Sequence, residues 1–168
     1  GELDGDDREP TSSLVPFAQR ALSFGGGADD YLILPNQDRF ALSSWRVQAW
    51  VRPGTGMLSR ASGDIVSREL GHGLSNYRLS VTNIAGVLYP HVSFSGYSTS
   101  ATADGARIPA DGETWTHIAA AYDEYEREVR VEVNGLQQLN VLADAAPTSQ
   151  KDSDAEVRVG ADFIGAID

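Results

Sequence analysis

The chain has 168 residues, a formal net charge of −11 and no cysteine. The missing cysteines exclude a disulfide framework, a cysteine-ligated zinc site and a cysteine nucleophile. The acidic balance repels phosphate backbones and anionic lipid headgroups, so neither nucleic acid nor a membrane surface is an expected partner. No apolar run is long enough to span a bilayer, and no Asn-x-Ser/Thr acceptor occurs. One domain is expected at this length, and 41% hydrophobic residues suffice for a packed core.

Residues 1–14 read as an acidic leader or linker, with Asp4, Asp6 and Asp7 lacking EF-hand spacing. Residues 15–168 read as the folded unit. Ala21–Phe24 is a short strand ending at Gly25-Gly26-Gly27, and Tyr31–Leu34 is a second, stopped by Pro35-Asn36. Arg46–Arg52 alternates polar and apolar residues before Pro53-Gly54, as a half-buried strand must. Asp64–Arg68, Tyr77–Val81 and Val87–Phe94 continue the series, the last with Pro90 as an edge or bulge signal. Trp115–Tyr122 reads as a buried strand, and Glu128–Val133 places valines on one face. Asn134-Gly135 then supplies two residues that tolerate positive φ, the strongest short hairpin signal, and Leu136–Val141 returns. Glu156–Gly160 is the last alternating segment. Many short strands with turns between them, and no helical period, predict an all-β antiparallel sandwich of two sheets.

Several of these segments together resemble the laminin-G-like jelly roll of the concanavalin A-like lectin and glucanase superfamily. They are Ala21–Leu32, Trp45–Pro53, Ile65–Arg68, Trp115–Asp123, Val129–Gly135 and the closing Val157–Gly160 with Phe163–Asp168. The resemblance implies about a dozen strands in a concave and a convex sheet. It also implies a final strand beside the first, following the Ile167-Asp168 pair, which this sequence does not contain. Finally, it implies a structural calcium ion held by Asp29 or Asp30 near the start and Asp168 at the close, with carbonyls exposed by the glycine turn. Hard cations take six to eight such oxygens.

Candidate ligand contacts are aromatic and polar side chains flanking loops: Trp45, His72, Tyr89, Tyr97 and Tyr125. The Ser- and Thr-rich stretch from Ser93 to Thr102 is a candidate polar rim. Trp50 and Trp115 are expected in the core, and His117 as a packed, hydrogen-bonded histidine of its strand. The carboxylates of Asp123–Glu128 read as an exposed turn rather than a glycosidase pair, and no Gly-x-Ser-x-Gly elbow is present. The expectation is a non-catalytic extracellular recognition module, secreted or on a cell surface, that binds a glycan or glycoprotein. An assembly or adhesion domain that contacts protein partners, for instance along a sheet edge, stays open as an alternative. A glucanase is the third reading.

Overall fold

The structure is a computed structural model that describes residues 21–71, 74–94, 99–143 and 154–168. The leader at residues 1–14 lies outside them. Among the described residues twelve strands follow in chain order: β1 (Leu22–Gly25), β2 (Leu32–Leu34), β3 (Trp45–Pro53), β4 (Ser62–Gly71), β5 (Leu74–Ile84) and β6 (Val87–Phe94), then β7 (Thr99–Thr102), β8 (Thr116–Asp123), β9 (Glu128–Val133), β10 (Leu136–Leu142), β11 (Val157–Val159) and β12 (Ile164–Ile167). They form two six-stranded antiparallel sheets, β1-β12-β3-β8-β9-β10 and β2-β11-β4-β5-β6-β7. The all-β jelly-roll sandwich expected from the sequence is therefore the observed fold.

The core lies between the sheets because each strand spends alternate residues on it. In β9, Val129, Val131 and Val133 are buried. Each such side chain contributes about 1.5–3 kcal/mol by leaving water. Ile118, Ala120 and Tyr122 of β8 face the same interior, with Leu79 and Val81 of β5 and Leu88 and Val92 of β6 from the other sheet. Met57, in the 3-10 turn that carries the chain from β3 to β4, is fully buried, as is Phe163 between β11 and β12. These two side chains plug the sandwich where the chain changes sheet.

The last segment is used economically. β12 inserts between β1 and β3, pairing Leu22 with Ile167 on one side and Val51 with Ile167 on the other. β1 is thereby the edge of its sheet, paired on one side only, with β12.

Pro90 departs from its expected edge or bulge position. It lies in β6, between β5 and β7, in a regular register opposite Val81. Ala103 donates its N–H to the Pro90 carbonyl, so the two residues face each other as a hydrogen-bonding pair. The return bond is the one proline cannot make, and β7 ends one residue earlier, at Thr102.

The Asn134-Gly135 hairpin has φ of 50° and 76°, as its sequence predicts. The same geometry at Ala85-Gly86, with φ of 53° and 82°, joins β5 to β6 without an asparagine to announce it. Gly135→Ala should cost about 1–2 kcal/mol, because nothing lies within reach of the new Cβ and only the left-handed backbone is penalised. Gly160→Ala should cost several times more, since its Cβ would overlap the Phe24 ring. Urea denaturation of both variants checks the order, and equal losses would contradict the packing.

Arg68 is wholly buried. Its guanidinium donates to Asn76 Oδ1 at 3.0 Å, Asn36 Oδ1 at 3.3 Å and the Ala155 carbonyl at 3.3 Å. Asn76 in turn donates to the Leu42 carbonyl. Asn76→Ala should therefore destabilise by about 3 kcal/mol, since a buried cation loses an acceptor and a carbonyl loses its donor. A loss under about 1 kcal/mol in the same denaturation assay would refute that role.

Candidate functional site

The face of the β2-β11-β4-β5-β6-β7 sheet that points away from the core is polar across most of its width. Strand register arranges it in three rows. Ser62, Thr82 and Tyr89 form the first. Asp64, Ser80, His91 and Thr102 form the second. Arg158, Ser67, Arg78, Ser93 and Ser100 form the third.

A β-bulge makes this arrangement possible. β4 shifts register between Asp64 and Val66, so Asp64 opposes Ser80 while Ser67 opposes Arg78. Strict alternation would put Asp64 and Ser67 on opposite faces. The extra residue turns both outward, a common use of bulges beside functional sites.

The centre of the face is an ion pair. Arg78 Nε donates to Asp64 Oδ1 at 2.7 Å, and the Asp64 side chain is 6% exposed against 35% for Arg78. Burial pushes the Asp64 carboxyl above its ordinary value, opposed by the Arg78 charge and hydrogen bond. Beside it, His91 Nδ1 lies 2.8 Å from Thr102 Oγ1. Burial, then the nearby Arg78 charge, pull the His91 pKa below its ordinary value and favour the neutral ring. At the far end of the third row, the Arg158 guanidinium lies 5.0 Å from the centre of the Tyr31 ring and bonds Glu156 at 2.9 Å. A buried carboxylate, a neutral imidazole, a guanidinium and several hydroxyls thus share one surface. Groups of these kinds can donate to and accept from hydroxyls.

The residues expected from sequence fare differently. Tyr89 is half-buried in the first row. Trp45 is 4% exposed and sits in the core between Tyr77 and Tyr122, at 5.9 and 6.2 Å between ring centres. It offers no face to a ligand, because it starts β3 on the inward parity shared with Ala49 and Val51. Tyr125 is 89% exposed, but it belongs to the turn between β8 and β9 of the other sheet, where Asp123 Oδ1 accepts the N–H groups of Tyr125 and Glu126. It is not brought together with Tyr89. His72 and Tyr97 lie outside the described residues.

Trp50 and Trp115, expected inside, are half-buried on the outward face of the β3-containing sheet. Trp50 packs on His117 at 5.3 Å, and Arg52 covers Trp115 at 4.9 Å. Asp64, Arg78 and His91 were not singled out as ligand contacts. The signal available was polar residues at alternate positions in strands with apolar partners on the other parity.

Asp30 and Asp168, one of the carboxylate pairs expected to share an ion, are not brought together. Asp30 follows β1 and accepts the Gly25 N–H, whereas Asp168 exchanges both backbone bonds with Trp50 near the opposite end of β1. One ion cannot reach both, so this set does not fit a single calcium site. Among the described residues no group of three or more His, Asp or Glu side chains is placed to hold a metal. Among them, too, no helix is long and apolar enough to cross a membrane.

The two shifted groups of the second row have opposite pH signatures. The raised Asp64 pKa contributes stability at low pH that fades as pH climbs from 3.8 through the raised value. The lowered His91 pKa does the reverse. Below 6.5 the unfolded chain takes the proton first, and stability falls as pH drops through the folded value. His91→Gln should therefore flatten the decline in urea midpoint between about pH 7 and pH 5. An unchanged decline would show that His91 is not held neutral.

Comparisons place this architecture. No curated protein sequence matches the chain. Among solved structures, CBM40 of the Ruminococcus gnavus IT-sialidase, bound to α2,3-sialyllactose, superposes with a TM-score of 0.61 at 15% identity, covering 88% of this chain and 85% of that one. Domain 4 of AbnA, an extracellular GH43 arabinanase from Geobacillus stearothermophilus in complex with arabinotriose, gives 0.62 at 21% identity, covering 88% and 67%. Domains LG4-5 of the mouse laminin α1 chain give 0.54 at 19% identity, covering 83% of this chain and 34% of that one. The sequence pattern of the superfamily matches residues 25–168, nearly the whole described sandwich, and this chain belongs to the concanavalin A-like lectin/glucanases superfamily.

Proposed function

We propose that this domain is a non-catalytic carbohydrate-binding module of a larger secreted or surface protein, with the polar face of the β4-β5-β6 region as its platform. The observation that carries the reading is the set of three outward rows, with the Asp64–Arg78 pair at their centre and Tyr89 at one margin. Sugars present hydroxyls that both donate and accept, over C–H faces that stack on aromatic rings. Serines and threonines in the rows, flanked by Arg78, His91 and Tyr89, match that chemistry. Two structures of the same fold carry sialyllactose and arabinotriose, which supports the reading.

Catalysis is not favoured by the face. Glycoside hydrolysis with retention needs two carboxyl groups about 5–5.5 Å apart flanking the bond. The three rows contain one carboxylate, Asp64, and it is tied to Arg78.

Titration calorimetry against arabinotriose, sialyllactose and other soluble oligosaccharides tests the proposal. At least one should bind, and Tyr89→Ala should weaken that binding about tenfold, or about 1.4 kcal/mol. Silence across a broad glycan array would defeat it. That outcome would favour a protein-contact role, for which the edge strand β10 is the supporting feature: Leu136 and Leu142 are 67% and 74% exposed there.

A further inference from the structure

The first row of the polar face does not stop at Ser62. Immediately beyond it lies a depression of about 600 Å³, lined by Gly56, Ser59, Arg60, Ser62, Asp162 and Ile164. That size lies within the roughly 300–1,000 Å³ range of small-molecule sites. It forms where the β3–β4 connection crosses the β11–β12 connection. Arg60 fixes a third segment by donating to the Gly26 carbonyl. Ile164 donates its N–H to Met57 Sδ, which holds the apolar wall against the buried plug.

We infer that this depression is a subsite for the terminal unit of a neutral glycan, with Arg60 and Asp162 gripping a pair of adjacent hydroxyls. The inference rests on the carbohydrate-binding reading and adds where the chain end sits. Three features point to it. First, Arg60 Nη1 and Asp162 Oδ1 are 3.5 Å apart, close enough to neutralise each other but too far for a tight hydrogen bond. The Asp162 side chain is 68% exposed, so its acceptor sites face the depression and solvent. A donor beside an acceptor matches two neighbouring hydroxyls. Second, Asp162 holds a left-handed φ of 57°. A turn alone would be served with less strain by glycine, and strain kept at a pocket wall points to use of the side chain. Third, Ser62 belongs both to the depression and to the Ser62–Thr82–Tyr89 row. A glycan lying on Tyr89 and Thr82 therefore leads directly into it.

Charge selects the ligand class. An anionic group would meet Asp162 and the field of a chain with net charge −11, and a divalent cation would meet Arg60. A neutral polyol meets neither penalty. Ile164 offers the apolar contact for the C–H face of a sugar ring.

The test is a titration of isotope-labelled protein, followed by amide NMR, with arabinotriose and with the methyl glycosides of arabinofuranose, galactose and mannose. At least one probe should shift the amides of Ser59, Arg60 and Asp162. Asp162→Asn, which keeps a residue tolerant of positive φ, should weaken that probe about tenfold. Asp162→Gly should stabilise the fold while losing the same binding, a combination that a purely structural turn residue would not give. Shifts confined to Ser80, Tyr89 and His91, with Asp162→Asn binding unaltered, would overturn the subsite and leave the platform standing. Shifts confined to the depression would support the subsite and overturn the platform. No shift with any probe would overturn both.

Discussion

The buried guanidinium of Arg68 is the interaction on which the β4-containing sheet depends. A cation withdrawn from water costs several kcal/mol unless its donors are met. Among the described residues, oxygens from three separate parts of the chain accept from it: Asn76 in β5, Asn36 after β2 and Ala155 before β11. Two of these segments, those beside β2 and β11, have weak reasons of their own to be where they are. β2 and β11 are three residues long, and β2 is largely exposed. A strand that short buries little, so its position is set by what it is tied to. Arg68 ties the β2 and β11 side of the sheet to the longer β4 and β5, and with it the Arg158 end of the polar face.

That anchoring explains how the sheet tolerates its irregularity. β4 shifts register three times along its pairing with β5. Bulges loosen a ladder and bend a strand. The bulge after Asp64 has a specific product, two polar residues turned to one face, and the cost is borne next to a residue, Ile65, that is fully buried in the core. The core side of the same strand pair, with Leu79 and Val81 unexposed, supplies the apolar burial that keeps a buried carboxylate affordable.

The sandwich was legible in the sequence because its rules are local. Alternation in Arg46–Arg52 and Glu128–Val133, and positive φ at Asn134-Gly135, depend on residues that are neighbours in the chain. The site was much less legible. Trp45 and Trp50 lie five residues apart in one strand, on opposite parities, and only the partner strands decide which parity faces the core. Trp45 meets Tyr77 across the sandwich, and Trp50 meets His117 on the outward face. Either could have been the stacking residue from sequence alone. Asp64 was hidden for a different reason. Its neighbour Ile65 disrupts the polar pattern, and a bulge cannot be read from a run of four or five residues. The Ile167-Asp168 close was recognised correctly as part of the fold, but proximity to Asp30 was not encoded locally. An antiparallel pairing of β12 with β1 sends the two carboxylates to opposite ends of the strand.

The two outward faces of the sandwich then divide the polar chemistry unequally. On the β3-containing sheet, charged groups satisfy one another: Arg46 grips Glu132 with two hydrogen bonds, Arg130 bonds Glu128, and Arg52 lies on Trp115. Long side chains paired in this way cover a sheet and leave little unspent hydrogen bonding. On the β4-containing sheet most of the groups are shorter: hydroxyls and an imidazole, with the ion pairs Asp64–Arg78 and Glu156–Arg158. Hydroxyls rotate to donate or accept as a ligand requires, whereas a bidentate Arg–Glu pair is already committed. The difference between the faces is therefore one of the kind of polar group rather than of polarity: hydroxyls that can reorient toward a ligand on one face, long charged pairs locked to each other on the other.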